Sequence, residues 1–244
     1  MSILLDVYHE VFYRPLLNGL VFLTDILPYH DLGLAVILLT IFARGLLFPF
    51  THHSVKAQAK MRALEPHIQK IRDEHKDNKE EQGRKIMILY KEHGVNPFSG
   101  CLMLLIQFPL LIALYQVFVH GLTGDLSSVL YPFVSQPEAL RTEFLWFIDI
   151  TKPNALLAVL AGLTQFVQMK LAAPPATSAG AEAAQKNDMA RMMTMQMTYV
   201  MPIIIVVIGF QFLSAVALYW TTMNVFAIIH EMIVRKKAER ISNQ

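Results

Sequence analysis

Arg44 is the residue best placed to do chemistry, because of its surroundings. It is the only charge in the run from Leu32 to Phe50, which is long enough, as a helix, to cross the hydrocarbon core of a bilayer. A guanidinium stays charged at neutral pH and costs roughly 2.5 to 3.5 kcal/mol near the centre of a membrane helix. It therefore needs water, an acidic partner or a route to the headgroups. Snorkelling along its own stem to the membrane surface is one solution; a hydrated recess is the other. A second apolar run, Cys101 to Val119, carries Gln107 at a depth comparable to that of Arg44, and also Gln116. Polar amides in hydrocarbon face protein or water, and packing between helices is the default for Gln116.

Most other chemistries lack their residues. His9-Glu10 and His230-Glu231 have no second histidine four positions after the first, so a zinc-protease helix is excluded. There is no nucleophile elbow, no phosphate-binding loop, and only one cysteine, Cys101, so no intrachain disulfide can form. His52, His53, His67, His75 and His93 are scattered through a charged stretch and read as surface histidines rather than a metal site. No carboxylate stands deep in an apolar run to relay protons or bind sodium, which disfavours a secondary transporter. An enzyme is disfavoured too, and neither cofactor nor metal is expected.

The elements that must position Arg44 follow from composition and charge. The 244 residues are 54% hydrophobic and 16% charged, with a mean hydropathy of +0.41, which places the chain among all-α polytopic membrane proteins. No cleaved signal is expected, because Asp6, His9, Glu10, Arg14 and Pro15 interrupt the first apolar run. Residues 1–31 read as an external amphipathic helix lying at the interface, followed by a first span over 32–50. Residues 51–96 hold ten Lys and Arg with seven acids interspersed, so the positive-inside rule puts them in the cytosol. There Leu64, Ile68, Ile71 and His75, then Ile86, Leu89, Tyr90 and His93, recur at helical spacing around a polar Lys76-Asp77-Asn78-Lys79 turn. This predicts a cytoplasmic helical hairpin, with Pro66 opening a fresh helix.

The second span is 101–119. An external loop, 120–152, should form short helices with an interfacial aromatic belt of Phe144, Trp146 and Phe147. A third span, 154–170, precedes a cytoplasmic loop, 171–195, that is rich in Ala, Pro, Ser and Gly around 172–187. From Tyr199 to Val234 the chain is almost wholly apolar, about 54 Å of helix against a core of about 30 Å. Cations flank both ends, so the run must cross twice, as 197–209 and 213–234, before a cytoplasmic tail, 235–244. Five spans then leave seventeen Lys and Arg inside, three outside and Arg44 within the membrane. That gives an external N-terminus and a cytoplasmic C-terminus.

These residues, in order, resemble the YidC/Oxa/Alb membrane protein insertases. The resemblance rests on Leu38-Leu39-Thr40-Ile41-Phe42-Ala43-Arg44, then Leu89-Tyr90-Lys91-Glu92-His93-Gly94-Val95-Asn96-Pro97, then Gly100-Cys101-Leu102 and Gln107-Phe108-Pro109 leading to Ala113-Leu114-Tyr115. Phe144-Leu145-Trp146 before Asp149-Ile150, and Ala217-Leu218-Tyr219-Trp220 followed by Asn224, complete it. Each motif is short, but their order and spacing are specific and cover almost the whole chain. The resemblance implies an insertase and chaperone of the bacterial cytoplasmic membrane. It would move nascent membrane proteins from the cytosol into lipid without nucleotide hydrolysis, through a hydrophilic groove open to both. Arg44 is then the groove arginine, and Gln107, Gln165, Trp220 and Asn224 are candidates to line the same recess. Ribosomes, targeting factors and the Sec translocon are implied partners; specific nucleic acid is not. Unlike larger relatives, this sequence is expected to carry no big external domain or first anchoring span and only a short C-terminal tail, so strong ribosome tethering through that tail is not expected.

Met192, Met193, Met195 and Met197, with Met189 and Met201, cluster at the entrance to the fourth span. Flexible thioethers suit promiscuous apolar recognition, so the cluster is a candidate for recruiting substrate, with ordinary packing at a helix entrance as the alternative. Two other functions fit the same residues: a small-solute or ion channel with Arg44 selecting anions, and a structural membrane assembly factor.

Overall fold

A computed structural model of the chain describes residues 3–96, 99–121, 126, 128–135, 141–172 and 195–242. Helix α1 (Ile3–Tyr8) runs through a π-helical turn (His9–Tyr13) into α2 (Arg14–Ile26), whose Leu16, Leu17, Leu20 and Val21 are buried. Asn18 ties α2 to the loop beyond α7. It donates to the carbonyls of Arg14 (2.8 Å) and Val129 (3.1 Å) and accepts from the Tyr131 amide at 2.6 Å. A buried amide satisfied on both its donor and acceptor sides holds a single geometry.

Asp31 caps α3 (Leu32–Leu46), its carboxylate accepting from the Gly33 and Leu34 amides at 2.8 and 3.0 Å, as an N-cap acid should. The helix does not continue straight to Phe50. It breaks at Leu47, and α4 (Phe48–Ala63) departs at 70°. Pro49, lacking an N–H, falls in the first turn of α4, where no donor is needed. The reading of 32–50 as one continuous helix therefore differs from the structure in its last turn.

Pro66 lies in the first turn of α5 (Glu65–Glu74), and Asn78 caps α6 (Lys79–Glu92) by accepting from the Glu81 amide at 3.1 Å. These two helices share a small core of Leu64, Ile68 and Val95 with Met61, Ile86, Leu89 and Tyr90. Helix α7 (Ser99–Gln116) ends in a π-helical turn (Val117–Gly121).

The short helices expected in 120–152 are absent among the described residues. In their place is an antiparallel pair, β1 (Glu143–Phe144) and β2 (Ile148–Asp149), with Phe144 opposite Ile148. The Leu145 and Trp146 backbones are left-handed (φ 52° and 68°), and Phe147 N–H donates to Phe144 C=O at 3.3 Å. That geometry reverses the chain tightly instead of letting it coil.

Helix α8 (Ala155–Ala172) packs on α9 (Met201–Gly209), which follows a π-helical turn (Gln196–Val200), and on α10 (Ser214–Ser242). The approach of α8 to α9 is set by glycines. A Cβ on Gly162 would lie 2.2 Å from Val206 Cγ2, and one on Gly209 2.7 Å from Ala158 Cβ. Small residues at such contacts let membrane helices come close.

By length and composition, α8 and Ser214–Val234 of α10 can each cross a membrane, and α3 with α4 can be a third, broken span. Gln107–His120 and Gln196–Gly209 are shorter apolar helices. Two or three candidate spans thus stand against the five expected. Beyond Val234 the chain stays helical to Ser242, through residues expected to form a separate tail.

Candidate substrate cavity

Helices α3, α4, α7, α8 and α10 and the α9 segment surround a cavity of about 410 Å³. Arg44, Gln107, Gln165, Trp220 and Asn224 all line it, although they come from four helices and span most of the chain.

Arg44, near the end of α3, is half-buried and donates through Nη2 to Gln107 Oε1 at 3.0 Å. Gln107 Nε2 in turn donates to the Tyr219 hydroxyl. This orientation of the amide follows from charge, since a guanidinium has only donors and must meet the oxygen. Among the described residues, no carboxylate forms an ion pair with Arg44. A neutral amide takes one of its five N–H groups and leaves the charge uncompensated.

Trp220 and Asn224 stand four residues apart, on one face of α10. Trp220 Nε1 donates to Gln165 Oε1 at 3.1 Å, and Asn224 Nδ2 donates to Thr164 Oγ1 at 3.3 Å and to the Ala161 carbonyl at 3.5 Å. Two polar contacts one helical turn apart thus join α10 to α8 across the cavity wall. Asn224 and Gln165 are buried.

Sequence reasoning missed part of this lining. Thr51, Ser54, Val55 and Gln58 face the cavity from α4, at the i, i+3, i+4, i+7 spacing of one helix face. Their spacing is legible in the sequence, but the stripe falls in 51–96, the stretch expected to form the cytoplasmic hairpin. Tyr219 carries no signal of its own in the sequence beyond its place in Ala217-Leu218-Tyr219-Trp220, because its role depends on meeting Gln107 in space. Of the candidate methionines, Met197 lines the cavity and Met195 is exposed but does not line it. Met192 and Met193 lie outside the described residues. Met169, Met201 and Met223 add thioethers to the lining.

At the wall of the cavity, which His230 also lines, α4 is fastened to α10. His52 Nδ1 lies 3.1 Å from His230 Nε2 with the two rings stacked, and Phe48 stacks on His52 and meets His230 at a tilt. Arg62 Nη2 lies 2.6 Å from Glu231 Oε1, both side chains about nine-tenths buried. Arg62 Nε has no hydrogen-bond partner, so the pair is an ionic contact rather than a fully satisfied fork. No group of three or more metal-ligating side chains occurs among the described residues.

A bundle of apolar helices around a partly polar cavity, with helices able to cross a bilayer, is an α-helical membrane protein. Residues 22–241 match the family described as 60Kd inner membrane protein. The chain is 34% identical over 208 residues to the membrane protein insertase YidC of Oceanobacillus iheyensis, covering 84% of this chain and 74% of that one. It is 30% identical over 217 residues to the YidC of Clostridium tetani, covering 88% and 86% of the two chains. Against the YidC of Francisella tularensis subsp. novicida identity is 33% over 206 residues, 84% of this chain but 32% of that longer one. The chain belongs to the 60Kd inner membrane protein family, that of the YidC membrane protein insertases. Nascent membrane proteins and the lipid bilayer are the substrates and medium that membership implies.

Proposed function

We propose that this chain moves the polar flank of a nascent membrane protein part-way across the bilayer through the Arg44 cavity, while the apolar segment passes directly into lipid, without nucleotide hydrolysis. The observation that carries the reading is the half-buried Arg44, whose hydrogen-bond partner is the neutral Gln107 amide. A carboxylate on an incoming segment would meet a charge with free donors. Opposite charges 4 Å apart attract by about 4 kcal/mol at an effective dielectric of 20, against about 1 kcal/mol in water. That difference offsets part of the cost of dehydrating the segment.

In this reading Gln107, Gln165, Trp220 and Asn224 keep the recess polar, and Met197 and its neighbours meet apolar segments. Helices α3, α7, α8, α9 and α10 are the five spans, with the N-terminus outside and α5 and α6 in the cytosol, where the Lys and Arg residues concentrate. Ribosomes, targeting factors and the Sec translocon would approach from that side. Protein reconstituted alone in liposomes should insert a small single-span substrate with an acidic translocated tail. Arg44→Ala should impair that substrate most, and Arg44→Lys should retain part of the activity, keeping charge but losing the planar fork. Equal insertion by all three proteins would remove the charge from the mechanism. Ionic conductance without substrate would favour the channel reading instead.

A further inference from the structure

The four non-glycine residues with left-handed backbone among the described residues meet at one place. Tyr29 (φ 66°) and His30 (φ 51°) precede α3, and Leu145 (φ 52°) and Trp146 (φ 68°) form the β1–β2 reversal. The Tyr29 and Trp146 rings touch edge to face, 5.4 Å between centroids. Asp31 locks the two segments together, since its Oδ2 accepts from the Leu145 amide at 3.1 Å while its Oδ1 caps α3. Leu32 N–H donates to Arg141 C=O at 3.2 Å, and Ala215 N–H to Ile150 C=O at 2.9 Å, so the reversal is also fixed to the starts of α3 and α10.

Left-handed backbone is unfavourable for side chains such as these, and when it persists the surrounding structure over-determines it. Here it does not serve core packing. Phe144, over Gly33, and Ile148 opposite it turn inward and do the packing. Tyr29, Trp146 and Phe147 are 66%, 60% and 72% exposed, and Leu145 is 44% exposed.

We propose that Tyr29, Leu145, Trp146 and Phe147 form a rigid anchor that seats this end of the bundle in the phospholipid headgroup layer. Water is a poor medium for four large apolar side chains held outward on a fixed frame. The hydrocarbon core is excluded as well, because a turn with outward backbone polar groups cannot enter it unpaired. The interface suits both, and Trp and Tyr concentrate there. Arg141, whose guanidinium lies 6.0 Å from the Trp146 ring centre and 3.7 Å from the Glu143 carboxylate, puts a paired, part-exposed charge at the same level, as the polar side of an interface requires. The anchor rests on membership of a membrane protein family and not on the substrate cavity, which lies toward the other end of α3.

The test places the full chain in vesicles of phosphatidylcholine and phosphatidylglycerol and isolates Trp146 fluorescence by subtracting the Trp146→Phe protein. Trp146→Gly, which relaxes the left-handed backbone, is a second blank that guards against misfolding of the first. Lipids brominated near the headgroup should quench the difference signal most, with weak quenching by aqueous iodide. Strong iodide quenching with no effect of brominated lipid would overturn the proposal and leave the patch free for a protein partner. Strongest quenching by the deepest bromines would overturn it equally. Insertion activity is not the readout, so either result leaves the insertase reading standing.

Discussion

Arg44 donates to the Gln107 carbonyl oxygen at 3.0 Å, joining α3 to α7 through residues 63 apart in sequence, and no carboxylate completes the pair among the described residues. The arginine is held in place without being neutralised. Gln107→Glu, nearly isosteric, would supply a resident carboxylate and occupy the guanidinium. Insertion of an acidic-tailed substrate should then fall on the order of tenfold, equivalent to roughly 1.4 kcal/mol of lost attraction, while a tail without acids is little affected. Equal loss for both tails would point to a folding defect instead.

Trp220 and Gln165 should contribute modestly to stability. Interhelical hydrogen bonds in membranes average about 0.6 kcal/mol in double-mutant cycles. A cycle of Trp220→Phe and Gln165→Leu, read by unfolding in mixed micelles, should give a coupling of about that size. A coupling near zero would mean that the 3.1 Å contact does not persist in solution.

The α8–α9 contact tolerates no added bulk at Gly162. Its Cβ would lie 2.2 Å from Val206 and 3.0 Å from the Pro202 carbonyl oxygen, and a backbone atom cannot give way as a side chain can. Gly162→Val should cost about 1 to 3 kcal/mol and lower the melting temperature in detergent. Gly45→Ala, a helical position where a Cβ meets nothing within 4 Å, is the matched control and should melt at or slightly above the native protein, because alanine favours the helix.

Glu231→Gln should destabilise more than a surface change would. It leaves the buried Arg62 charge uncompensated, and breaking such a pair from one side costs about 3 to 5 kcal/mol. Replacing both residues together, Arg62→Met with Glu231→Leu, should recover much of that loss in thermal melts. No recovery would assign the effect to other contacts of Glu231.

At the end of β2, the Lys152 ammonium 2.7 Å from Asp149, with Thr151 beside it, holds the Asp149 carboxyl below its usual range. A depressed carboxylate pKa stabilises the fold above the unfolded value, and that contribution is lost as pH falls through the folded one. Lys152→Met should therefore lower stability at neutral pH and converge with the native protein in strong acid. An unchanged difference throughout acid titration would exclude this linkage.

Composition and charge pattern were enough to read a helical membrane protein, because apolar length and the cost of unpaired backbone in lipid leave few alternatives. The ordered motifs were enough to read the family, and the loneliness of Arg44 in its run was visible in the sequence. The partners of Arg44 were only partly visible. Depth along a helix is linear in residue number, so Gln107 could be matched to it, but Tyr219 joins them only because α10 passes beside α7. The 70° break at Leu47 was hidden in an apolar run that shows no change in hydropathy, although Pro49 marks it in retrospect. That break turns the Thr51, Ser54 and Gln58 face of α4 into the cavity, which residue spacing could place on one face but could not aim. The reversal at Leu145 and Trp146 was beyond local reading, because its left-handed backbone is imposed by Asp31 and the start of α3, more than a hundred residues earlier. Periodicity and solvent preference act locally and can be read from the chain; helix direction and the meeting of distant side chains are decided by packing.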